Sequence, residues 1–122
     1  EPVAGPEESA LYQGERYGNF SYAIPVATGG RYTAVLRFAE SWFGPGRPGG
    51  GGAGSRVFDV YCNGQPLLRE FDVFKAGGGS LRQVKKVFRS LEPNAQGKLN
   101  FEFVPVRNYG MINAIEVTEE RP

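Results

Sequence analysis

Hydrophobic and polar residues alternate along most of this chain. In Phe20–Val26, the side chains of Phe20, Tyr22, Ile24 and Val26 fall on one face, the period of two that marks a half-buried strand. Pro25 has no N–H to give a ladder, so this strand is predicted to lie at a sheet edge or to end there. After a turn at Thr28-Gly29-Gly30, the period returns with Tyr32, Ala34, Leu36 and Phe38 set against Arg31, Thr33 and Arg37. Phe58, Val60 and Cys62 share a face within Arg56–Cys62, and Asn63-Gly64, both tolerant of positive φ, signals a hairpin. Leu67–Lys75 fits two patterns. Leu67, Leu68, Phe71 and Phe74 make a helical stripe, and Phe71 with Val73 makes a strand face. The density of rings and the stop at Gly77-Gly78-Gly79 favour a strand. Leu81–Arg89 reads as a basic strand. Lys98–Val104 turns Leu99, Phe101 and Phe103 inward, and Ile112–Val117 closes the series. About eight short strands at roughly ten-residue spacing predict an all-β fold, an antiparallel β-sandwich.

Composition agrees. The 122 residues suit one domain, and 18 glycines with 9 prolines leave little room for long helices. Glu1–Ser9 is acidic, holds two prolines and reads as a linker or frayed end. The domain is therefore placed at 11–118, with 1–10 ahead of it and 119–122 as a tail. Gly44–Gly54 (GPGRPGGGGAG) cannot pack a core and is expected to be a mobile loop, either closing over a ligand or, the favoured reading, a tolerated insertion. Lys and Arg number 14 against 13 Asp and Glu, a net charge of +1 that gives no electrostatic reason to expect nucleic acid or an acidic membrane surface. No apolar run approaches the ~20 residues that span a bilayer. The chain does not begin with Met and carries no leader pattern, so it reads as a mature fragment or an excised piece.

Histidine is absent, which removes Ser-His and Cys-His catalysis and His-ligated metals; Cys62, the single cysteine, allows neither an internal disulfide nor a Cys-based zinc site. Glu15, Glu40, Asp59 and Asp72 are available carboxylates, but their spacing marks no acid–base pair. The glycine run lacks the Gly-Lys-Ser/Thr of a phosphate cradle, and the acids are too scattered for a calcium loop. Arg82, Lys85, Lys86 and Arg89 read as a charged, aggregation-resistant outer face. No catalysis, cofactor or metal is expected. The rings say more. Tyr12, Tyr17, Trp42, Phe43 and Tyr109 fall near predicted strand ends or turns, where a ring either packs inward or awaits a ligand. Sugars have apolar C–H faces that lie on aromatic rings and hydroxyls that pair with amides or carboxylates. Tyr109 stands between Arg107-Asn108 and Gly110, which offers both kinds of partner. For any single ring, core packing remains the stronger alternative.

Leu11-Tyr12-Gln13-Gly14-Glu15-Arg16-Tyr17-Gly18, Tyr32–Phe43 (YTAVLRFAESWF), Val57-Phe58-Asp59-Val60 with Asn63-Gly64, Phe71-Asp72-Val73-Phe74, Gly97–Val104 (GKLNFEFV) and Asn113–Val117 occur in an order that resembles malectin domains over most of residues 11–117. The resemblance implies a jelly-roll-like sandwich of the carbohydrate-binding-module type, without catalysis. In animal members, lectins of the endoplasmic reticulum, the domain binds glucose-containing oligosaccharides through loop aromatics and one acidic residue. Position by position, it implies sugar-binding roles for Tyr17, Trp42, Phe43 and Asn108, with Tyr109 and Arg107 as neighbours. Trp42 stands where the animal lectin has tyrosine, and Asn108 where it has its ligand-binding aspartate. The family also has a segment ahead of the Leu-Tyr-Gln motif that supplies strands and another tyrosine. Here ten residues precede Leu11. Either the domain is abbreviated, or the chain is a cut piece, or another protein segment or partner completes the sheet. A secreted, lumenal or cell-surface location follows from the resemblance alone. The alternative function is a protein-interaction or structural module that keeps the fold without binding sugar.

Overall fold

The computed structural model describes the backbone of residues 2–3 and 9–121 and the side chains of residues 19–121. Among these, nine strands and one short helix follow in the order β1 (Pro2–Val3), β2 (Ser9–Gly18), β3 (Phe20–Pro25), β4 (Tyr32–Ala39), β5 (Val57–Cys62), β6 (Gln65–Phe71), α1 (Val73–Gly77), β7 (Gln83–Leu91), β8 (Lys98–Arg107) and β9 (Gly110–Glu119). They form two antiparallel sheets, β1-β2-β9-β4-β7 and β3-β8-β5-β6. This is the two-layer sandwich that the alternating pattern predicts. β3, which ends on Pro25, lies at a sheet edge as a strand carrying proline should.

The alternation becomes burial. Tyr32, Ala34, Leu36 and Phe38 of β4 face Ile24, Phe58, Val60, Leu99, Phe101 and Phe103 of the other sheet across one core. Rings concentrate toward one end. Phe38 lies 5.0 Å from Phe71 and 5.9 Å from Phe58, Phe58 meets Phe71 edge-on at 5.8 Å, and Phe20 stacks on Phe103 at 4.7 Å. Each such pair contributes about 1 kcal/mol beyond its burial, so the Phe38–Phe58–Phe71 cluster makes a stiff floor beneath the loops at the C-terminal end of β4.

Local chemistry sets the turns. Asn63 and Gly64 take φ of 48° and 82°, the expected primed hairpin turn, and the Asn63 side chain also accepts from the Asn100 N–H at 2.9 Å and donates to the Lys98 carbonyl at 3.1 Å. Leu67–Lys75 is not one strand. β6 stops at Phe71, Asp72 then caps α1 by accepting from the Lys75 N–H at 3.1 Å, and Gly78 closes it at φ 78°. Neither sequence pattern holds over its length: Leu67, Leu68 and Phe71 lie in β6 while Val73 and Phe74 lie in α1, because the Asp72 cap and Gly78 form a turn of helix that the strand could not continue through. Tyr12, expected near a strand end, lies mid-strand in β2, opposite Ile115.

Candidate functional site

At the C-terminal end of β4 the chain turns a carboxylate inward. Glu40 is 0% exposed and Arg56, just before β5, is 2% exposed. Arg56 Nε donates to Glu40 Oε1 at 2.7 Å and Arg56 Nη2 to Oε2 at 3.1 Å, a two-bond fork. The same Oε2 accepts the N–H groups of Trp42 and Phe43 at 3.0 and 3.1 Å. A buried carboxylate is tolerable only when its lone pairs are satisfied in this way. The guanidinium reaches further. Nη1 donates to the Tyr109 carbonyl at 3.1 Å, and Cζ stands 5.2 Å from the Phe43 ring centroid. One ion pair thus ties together the turn after β4, the start of β5 and the β8–β9 turn.

The glycine-rich segment between β4 and β5 is a folded structure, not the unanchored loop that its composition suggests. Gly44 N–H donates to the Gly50 carbonyl at 2.7 Å, Gly49 N–H to Trp42 at 2.8 Å, and Arg47 Nε to the Ser41 carbonyl at 2.8 Å. Gly54 N–H donates to Asp72 Oδ2 at 2.6 Å, so the carboxylate that caps α1 also clasps the loop. Glycine is required for contact here as well as for flexibility. A Cβ on Gly49 would lie 2.5 Å from Trp42 Cδ1 and 3.0 Å from Phe43 Cδ1, so the indole rests directly on bare backbone. At Gly44, with φ of +135°, a Cβ would fall 1.8 Å from Ser80 Oγ.

Of the residues singled out from sequence, Trp42, Phe43, Asn108 and Tyr109 meet at this rim. Trp42 is 49% exposed and Tyr109 56%. Phe43 is half-buried beneath Arg56. Asn108 takes φ of 60° in the β8–β9 turn and donates Nδ2 to the Ser55 carbonyl at 2.5 Å; Arg107 Nη1 donates to the Gly54 carbonyl at 2.8 Å. The turn is thereby hooked to the loop. The backbone of Tyr17, opposite Met111 at the end of β2, reaches the same rim; its side chain lies outside the described residues. Glu40 and Arg56 were legible only as an acid at one strand's end and a base at another's start. Clefts also exist elsewhere. Two adjoining ones of about 340 and 390 Å³ lie at the opposite rim and share Glu92, Pro93 and Asn94, without an aromatic wall. A third of about 420 Å³, between Glu70, Asp72, Lys75 and Arg107, flanks the outer side of the glycine-rich loop. Exposed rings, a planar amide and a rigid mount occur together only at the Trp42 rim among the described residues.

A family model described as the malectin domain matches residues 2–115. Malectin-A of Xenopus laevis is 34% identical over 113 residues, which cover 83% of this chain and 38% of that protein. Among solved structures, the ANX2 ectodomain of Arabidopsis thaliana superposes with a TM-score of 0.74 at 14% identity, over 88% of this chain and 33% of that one. The plant peptide RALF23 in complex with FER and LLG2 gives 0.69 at 20% identity, over 83% and 27%. These structures share the fold, and the chain spans well under half the length of the curated relatives it matches. On the family match and the Malectin-A identity, the chain belongs to the malectin domain family.

Proposed function

We propose that this domain is a non-catalytic carbohydrate-binding module for glucose-containing oligo- or polysaccharide. The observation that carries the reading is the half-exposed Trp42 indole, seated on Gly49 beside Phe43, at the rim where Arg56 and Ser55 hold the turn that carries Asn108 and Tyr109. Trp42, Tyr109 and Tyr17 stack on the C–H faces of sugar rings. Phe43, braced by Arg56, sets the edge of the platform. Asn108 holds its amide nitrogen on Ser55 and offers its side-chain oxygen to a sugar hydroxyl. Each aromatic contact contributes about 1 kcal/mol beyond burial, so a few of them on an open rim give micromolar to millimolar affinity. Avidity then comes from repetition or tethering.

Replacing Trp42 with alanine is expected to weaken binding of maltose and nigerose at least about tenfold, while far-UV circular dichroism stays unchanged. Equal binding by parent and variant in calorimetric titration overturns the site. The reading also expects no turnover of chromogenic glycosides. A second reading, a module that binds protein, is favoured by the structural neighbour found in a peptide and protein complex. A flat response of Trp42 emission to glucosides, mannans and galactans would favour it.

A further inference from the structure

Leu81, two residues ahead of β7, occupies a costly conformation. Its φ is +61°, in the left-handed region where a bulky residue is a genuine outlier, and its side chain is 58% exposed. Such strain persists only where the surroundings fix the backbone. Here they do. Leu81 N–H donates to the Glu40 carbonyl at 2.7 Å, and the preceding Ser80 Oγ donates to the Phe43 carbonyl at 2.9 Å. These bonds join Leu81 to the segment that presents Trp42, and neither involves the leucine side chain. The core gains little from it.

Position gives the side chain a use. Along the rim of the β2-β9-β4-β7 row stand Tyr17 at the end of β2, Tyr109 before β9, Trp42 after β4 and Leu81 before β7. At about 4.8 Å per strand the row is roughly 14 Å long, more than one sugar ring covers. Trp42, Leu81, Val106 and Tyr109 are exposed large apolar side chains at this end, and Val87 lies within β7. We propose that Leu81 is a further contact residue, an apolar ledge for the second or third ring of an oligosaccharide whose first ring stacks on Trp42, so that the domain prefers longer chains. The proposal rests on the carbohydrate reading above. A pyranose C–H face needs apolar surface, and an aliphatic side chain supplies it with no hydrogen bond to satisfy.

The test compares maltose with maltohexaose, and nigerose with its longer oligomers, on parent, Leu81→Asn and Trp42→Ala. Asparagine tolerates the left-handed conformation. Leu81→Asn is therefore expected to raise Tm by about 3 °C, to bind the disaccharides within about twofold of the parent, and to lose most of the affinity gained with chain length. Leu81→Gly should do the same. A parent whose affinity does not rise with length, or a variant that keeps the full rise, overturns the role of Leu81. Undiminished disaccharide binding by Trp42→Ala instead overturns the carbohydrate site itself, and the Leu81 role with it.

Discussion

A guanidinium and a carboxylate held away from water depend on each other. Glu40→Gln would leave the buried charge of Arg56 facing a neutral amide and weaken the anchor of the Trp42 and Phe43 N–H groups. Breaking a pair of this kind costs about 3 kcal/mol or more. Urea unfolding should show that loss, and a change below about 1 kcal/mol would mean that the pair contributes little. Hydropathy gave no hint of it. An acid at the end of an alternating strand looks solvated, because nothing in the local pattern says that an arginine sixteen residues later returns to the same point. Trp42 and Phe43 were recognisable as rings beside a loop. That one faces solvent while the other lies beneath Arg56 depends on the fold around them. Leu81 was legible only as the start of a strand, since its exposure follows from a positive φ that sequence does not specify.

At the level of elements, periodicity carried most of the information. β3, β4, β5, β8 and β9 fall where alternation put them, because a strand with one buried face must alternate. Leu67–Lys75 reads as continuous strand in sequence but is not one, since apolar spacing alone cannot weigh a cap such as Asp72 against one more strand residue. The glycine-rich segment was misread for a related reason. Composition reports backbone freedom, and the hydrogen bonds that remove it come from distant partners such as Asp72. Gly49→Ala tests this packing directly. The added methyl must displace the indole that now lies 2.5 Å from its position, so emission of the lone Trp42 should shift and sugar affinity should fall, with little change in Tm. An unchanged spectrum would show that the ring does not rest on Gly49.

For the molecule as a whole, one core ties both sheets, and its chemistry has a pH signature. Burial pushes the Cys62 thiol up from its ordinary value near 9 to about 11. Between those values the unfolded chain releases the proton and the folded chain keeps it, so the contribution is intact below pH 9 and disappears as pH rises toward 11. The loss amounts to no more than about 3 kcal/mol. Urea unfolding of the parent should lose more stability between pH 9 and 11 than that of Cys62→Ala, which removes the tyrosine titrations common to both; parallel curves would refute the effect. The sheet order carries a consequence for how the sandwich comes into being. β9, the last of the described strands in chain order, sits between β2 and β4. Until it leaves the ribosome those two strands have no shared partner. The fold therefore closes late and over long stretches of chain, and a nascent chain arrested ahead of Gly110 would be a target for chaperones.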